Sequence, residues 1–148
     1  MAAQIDDIDK IFGAFAAQRR SDGPTIACLY TGQSFPSSCA PMALSPSPPT
    51  GMYLEDTFGE HLASALACNP ASHDGAVMFG RVTNHDRYRI TGWSFRLFPE
   101  DLVVETIPNR GSAFNSCLAM SVVTGVDRLY VLSRDEQFRF RNGKAKPL

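Results

Sequence analysis

Apolar residues near the start of the chain recur at spacings of three and four: Ile5, Ile8, Ile11, Phe12 and Phe15. That period places them on one face of a helix running to about Arg20, and the Gly and Pro of Ser21-Asp22-Gly23-Pro24 stop it. The pattern then changes to a continuous apolar run, Thr25 to Tyr30, of the kind that forms a buried strand. From Gly32 to Gly51 proline and serine dominate. Such a composition favours neither sheet pairing nor a helix and predicts a long irregular loop. Helical spacing returns with Phe58, Leu62, Ala65 and Leu66, with Asp56 or Thr57 at the cap position and Asn69-Pro70 as the stop. Ala76 to Phe79 reads as a second strand, Thr83 to Arg87 as a hairpin turn, and Tyr88 to Phe98 as the returning strand, halted at Pro99. After Asn109-Arg110-Gly111-Ser112, the spacing of Phe114, Cys117, Leu118 and Val122 predicts a helix from Ala113 to Thr124. Arg128 to Ser133 and Gln137 to Phe140 close the series as strands, with a turn at Asn142-Gly143. Strands and helices interleave without an internal repeat, so the expected fold is α/β: one domain over residues 1–148, a mixed central sheet flanked by helices.

Length and composition agree with that reading. The 148 residues, 44% of them hydrophobic, suffice for one packed core. Fourteen Lys and Arg against fifteen Asp and Glu give a net charge of -1. No chain-wide basic field exists to hold a polyanion, so DNA is not an expected partner. The first twenty residues carry three Asp where a signal peptide carries positive charge, and no apolar run approaches the roughly 18 residues that span a membrane. No membrane association and a cytoplasmic location are expected. Cys28, Cys39, Cys68 and Cys117 form neither a CxxC pair nor zinc-finger spacing, each except Cys39 lies in an apolar stretch, and they read as reduced core thiols.

The chemistry-bearing segment is Asn69-Pro70-Ala71-Ser72-His73-Asp74-Gly75-Ala76, leading into the strand Val77-Met78-Phe79. A DGA tripeptide alone is a weak signal. Order and spacing strengthen it: a strand ending Leu97-Phe98-Pro99, a Gly111-Ser112 pair opening a helix, then Tyr130-Val131-Leu132-Ser133 and Asn142-Gly143. This succession resembles the diadenylate cyclase family, with its HDGA and GTRHR motifs, most closely over residues 57–148.

The resemblance implies a fold and a set of roles. In the family two domains face each other, each with one ATP, and each 3′-hydroxyl attacks the other α-phosphate to give cyclic di-AMP; a homo-oligomer is implied. Asp74 matches the catalytic, metal-binding aspartate, where Mg2+ or Mn2+ offsets phosphate charge. His73, Gly75, Ala76, Gly111, Ser112 and Asn115 fall at nucleotide-binding positions, with Arg110 beside them as a substitute phosphate contact. The family's Arg-His-Arg is here Ala113-Phe114-Asn115. Losing two guanidinium groups removes charge-assisted contacts of about 1.5 to 3 kcal/mol each, so ATP affinity would fall by roughly two to four orders of magnitude. The function implied is therefore an adenine-nucleotide (ATP or cyclic di-AMP) sensor or regulatory module with weakened or lost cyclase activity. An active cyclase with a rebuilt phosphate site, and an interaction protein without a ligand, are the alternatives.

Other residues suit plainer roles. An Asp-Gly at a helix-to-strand junction is often only a turn. His61, His73 and His85 lie twelve residues apart, on a helix, a turn and a hairpin, which is no metal-site spacing. Cys68 sits five residues before His73, but sequence proximity does not make a catalytic pair. Phe114 shares a helical face with Leu118 and reads as core, or else lines an adenine pocket. The alternation of Phe138 and Phe140 with arginines is that of a half-buried strand rather than a single-strand nucleic-acid ribbon.

Overall fold

The computed structural model describes residues 5–18, 24–99 and 111–148, with the side chains of 5 and 6 excepted. Seven strands form one sheet in the order β2-β4-β3-β1-β5-β6-β7. They are β1 (Thr25–Thr31), β2 (Cys39–Pro41), β3 (Ala76–Arg81), β4 (Arg89–Leu97), β5 (Val126–Leu132), β6 (Gln137–Arg141) and β7 (Lys144–Pro147). β1 and β3 run parallel and the other neighbours antiparallel, so the sheet is mixed as expected.

The central strands are apolar throughout because both faces are covered. In β1, Ala27 and Leu29 enter one core while Cys28 and Tyr30 enter the other. β3 divides Val77 and Phe79 from Ala76 and Met78, and β5 divides Tyr130 and Leu132 from Leu129 and Val131. The first core is closed by α1 (Ile5–Gln18), through Ile8, Phe12 and Ala16, and by α2 (Phe58–Cys68), through Phe58, Leu62 and Ala65. Phe12 meets Phe58, Phe79 and Tyr130 at ring separations of 5.8, 5.7 and 4.5 Å. Each such fully buried aromatic stabilises the fold by about 1.5 to 3 kcal/mol. The second core lies under α3 (Ser112–Met120), which contributes Phe114, Cys117, Leu118 and Met120.

β4 departs from strict alternation. Its register against β3 shifts twice, so that Trp93 joins the first core and Phe95, two residues on, joins the second. Ser94 takes up the extra residue in a left-handed conformation, φ 56°, and its buried hydroxyl donates to the Ala71 carbonyl at 2.9 Å. A bulge of this kind re-aims side chains at the cost of one irregular residue.

Several expectations require correction. The segment 32–51 is not without sheet structure: Cys39–Pro41 pairs antiparallel with β4. More of this segment is tied down by Trp93 Nε1 to the Pro49 carbonyl, Asn69 Nδ2 to the Pro46 carbonyl and Gly51 N to the Ile90 carbonyl. β7 is a further strand, beyond those the apolar pattern predicts. α3 stops at Met120 rather than Thr124, where Val122 is exposed and Gly125 turns back with φ 89°. Thr57 occupies the start of α2 without capping it; its hydroxyl meets His61 Nε2 at 3.2 Å instead. Among the described residues no helix is long and apolar enough to cross a membrane.

Candidate functional site

The junction from α2 to β3 is built by a chain of side-chain and backbone bonds. Asn69 leaves the helix in an extended conformation, and its Oδ1 accepts from Ala71 N at 3.0 Å, opening a 3-10 turn over Pro70–His73 with proline at its start. Pro suits that position because the first N–H of a helical turn has no internal acceptor. Ser72 is buried, and its hydroxyl donates to the Ala65 carbonyl at 3.2 Å.

His73 Nδ1 donates to the Pro70 carbonyl at 2.6 Å, which fixes the ring and turns Nε2 toward Asp74 Oδ1, 3.1 Å away. The two form an ion pair when the imidazole is protonated, and both side chains are 59% exposed. Gly75 follows at φ 72°. A Cβ there would lie 2.6 Å from the Phe95 carbonyl oxygen and 2.7 Å from Met42 Cε, so both the backbone conformation and the space demand glycine. Ala76 then enters the sheet between Ile26 and Phe95 and is fully buried, backbone included.

Gly111 and Ser112 are exposed at the start of α3, with no side-chain cap on the helix. Asn115 is half-buried one turn later, its N–H bonded to the Gly111 carbonyl at 3.2 Å. Arg110 lies outside the described residues. The first backbone N–H groups of such a helix favour an anion. Ala76 and Phe114 share the second core with Phe95. Phe114 is core: it is 7% exposed and meets Phe138 and Phe140 edge-on at 5.2 and 4.9 Å.

A cavity of about 620 Å³ opens at the other end of β3, roughly 16 Å along the strand from Ala76. Tyr30, Tyr53, Arg81, Arg87 and Arg89 are among its lining residues. Beside the lining residue Arg81, Asp127 accepts from the hydroxyls of Thr31 and Tyr88 at 2.6 Å each. Arg81 Nε donates to Thr31 Oγ1 at 2.8 Å, and its guanidinium stacks over Tyr88. Burial, with the Asp127 carboxylate beside it, pushes the Tyr88 phenol up to about 12. None of these residues stood out in the sequence; the alternation Arg87-Tyr88-Arg89 was the one available signal.

No protein-family model and no curated protein sequence matches the chain. Among solved structures, it is similar to a hypothetical membrane spanning protein from Bacillus cereus, with a TM-score of 0.62 and 16% identity over 97% of this chain. It spans 62% of that protein's length. It is also similar to a double mutant of DacA, a diadenylate cyclase, from Staphylococcus aureus, with a TM-score of 0.52 and 14% identity, covering 97% of this chain and 84% of the other. At these identities the likeness is one of fold: the chain has a diadenylate-cyclase-like α/β architecture.

Proposed function

We propose that this chain is a divergent diadenylate-cyclase-like domain that binds an adenine nucleotide, ATP or cyclic di-AMP, and acts as a sensor or regulatory module with weakened or lost cyclase activity. The observation that carries this reading is Asp74. Its carboxylate stands in solvent at a turn whose glycine is compulsory, in the His73-Asp74-Gly75-Ala76 segment that resembles the family's HDGA motif. Folding gives no reason for a carboxylate there, since its described side-chain contact is with the equally exposed His73.

A single exposed carboxylate suits Mg2+ or Mn2+ brought in with a nucleotide, because such ions take most of their ligands from phosphates and water. Among the described residues no group of three His, Cys, Asp or Glu could cage a metal by itself. The ion, when bound, neutralises phosphate charge. Gly75 keeps the backbone open to close approach, and the uncapped start of α3 at Gly111 and Ser112 supplies N–H donors to an anion. With Ala113-Phe114-Asn115 in place of Arg-His-Arg, no guanidinium within the motif grips the triphosphate, which favours binding over turnover.

The test is thermal unfolding with ATP and manganese, alongside mass spectrometry for cyclic di-AMP. At a hundred times the dissociation constant a ligand stabilises by about 2.7 kcal/mol, which raises the Tm by roughly 5 to 10 °C for a chain of this size. That shift is expected in the native chain and absent in Asp74→Asn, with no product formed. Product that disappears in Asp74→Asn would establish an active cyclase instead. Equal melting of both proteins with and without ATP, and with and without cyclic di-AMP, would defeat the nucleotide reading.

A further inference from the structure

We propose that the cavity at the far end of β3 is a second binding site, for the phosphoryl group of a small di- or triphosphate-bearing anion, independent of the HDGA turn. It lies beyond the carboxyl ends of β1 and β3, the one parallel pair among the described strands, where open α/β sheets place ligands in a crevice between diverging connections. Its volume of about 620 Å³ falls within the span of about 300 to 1,000 Å³ that small-molecule sites occupy.

Charge decides the class of ligand. The lining presents Arg81, Arg87 and Arg89 with one carboxylate, Asp86, while Asp127 pairs with Arg81 at 3.8 Å and Glu55 with Arg87 at 2.6 Å. Asp86 is engaged within its own turn, accepting from Thr83 N at 2.9 Å and Thr83 Oγ1 at 3.0 Å. Each arginine is held in place before any ligand arrives. Arg81 is only 13% exposed along its side chain, fixed by Thr31 and by Tyr88. Arg87 and Arg89 both stack on the Tyr53 ring, at 4.0 and 4.3 Å from its centroid.

Arg87 also pairs with Glu55 at 2.6 Å, whereas Arg89 donates to the Tyr53 hydroxyl and, among the described residues, has no carboxylate within 4.0 Å. A guanidinium stacked on a ring keeps its in-plane N–H groups available, and that planar fork matches two phosphate oxygens at once. Stacking also lowers the entropy lost when the ligand binds. With Arg81 and Arg87 each paired to a carboxylate, Arg89 is, among the described residues of the lining, the cation whose fork is left to meet an anion.

Calorimetric titration of the whole chain with inorganic pyrophosphate, without metal, tests this. Binding is expected, weakened about tenfold or more in Arg89→Ala, since a hydrogen bond to a charged group is worth about 1.5 to 3 kcal/mol. Arg89→Lys should remain weak, because a point charge does not replace a fork. Lys146→Ala, at an exposed position on β7 outside both sites, should titrate like the native chain, and citrate should bind more weakly than pyrophosphate. Failure of the native chain to bind pyrophosphate at millimolar concentration overturns the proposal, as does equal affinity in Arg89→Ala whose melting profile is unchanged. A loss in Lys146→Ala matching that in Arg89→Ala would reduce the binding to general cationic attraction and also overturn it. Citrate binding as tightly as pyrophosphate would overturn the phosphoryl assignment.

Discussion

Gly75 is the residue on which the candidate site turns. Its φ of 72° lies where an L side chain is strained, and its missing Cβ leaves room for the Phe95 carbonyl. Gly75→Ala combines a left-handed penalty of about 1 to 2 kcal/mol with a backbone collision, and is expected to destabilise the fold by about 2 kcal/mol or more. Urea unfolding measures it directly; a loss under about 0.5 kcal/mol would mean that the turn relaxes freely. Asp74→Asn, one residue earlier and exposed, should leave the urea midpoint within the small range of surface substitutions. The contrast separates the residue that shapes the turn from the residue that the turn displays. That distinction was partly legible in the sequence, where Asp-Gly before an apolar strand announces a turn. Nothing there could show that the glycine is compelled by Phe95 and Met42, because those contacts depend on how β4 and the segment before it return to the same point.

At the scale of elements, legibility followed the apolar pattern. α1, β1, α2, β3 and β5 each bury an uninterrupted stripe or run, and their positions could be read to within a few residues. β2 and β7 could not, since Cys-Ala-Pro and Lys-Ala-Lys-Pro carry no such signal and exist as strands through their neighbours' backbone alone. The arginine-lined crevice was hidden for a related reason: Tyr53 and Arg89 lie 36 positions apart and meet through the pairing of Tyr53 with β4. The β6–β7 hairpin illustrates how a local rule can still govern such an element. Asn142 at φ 51° and Gly143 at φ 75° have the positive dihedrals of a tight hairpin turn. Gly143 N also accepts anchoring from outside the hairpin, donating to Ser121 Oγ at 2.8 Å. Gly143→Ala faces both strain and a 3.2 Å approach to Val122 Cγ1. A cost of about 1 to 2 kcal/mol is expected, with faster amide exchange concentrated in 137–147. Uniform exchange acceleration across the sheet would show that the hairpin is not a separable unit.

For the whole molecule, the two-sided core predicts an order of chemical access. Of the four thiols expected in the core, Cys28 and Cys117 are sealed in the second core, but Cys39 is half-buried and Cys68 is exposed on α2. Burial raises the thiol pKa of Cys28, Cys39 and Cys117, so the reactive thiolate is suppressed at these three. In native protein near neutral pH a disulfide reagent should label Cys68 first, Cys39 more slowly, and Cys28 and Cys117 only as fast as the fold opens. Prompt labelling of all four would contradict the closed second core. Denaturant should equalise the rates.

The two outermost strands carry a further consequence. β2 is three residues long and ends in Pro41, which has no N–H to offer, while β7 places Lys144 and Lys146 along its length and Pro147 at its end. An incoming strand would find a template that is brief on one side and positively charged on the other, the devices by which natural sheets resist growth into fibrils. Recognition of another chain is thereby directed to side chains on the faces and in the crevices, and away from open backbone at the margins.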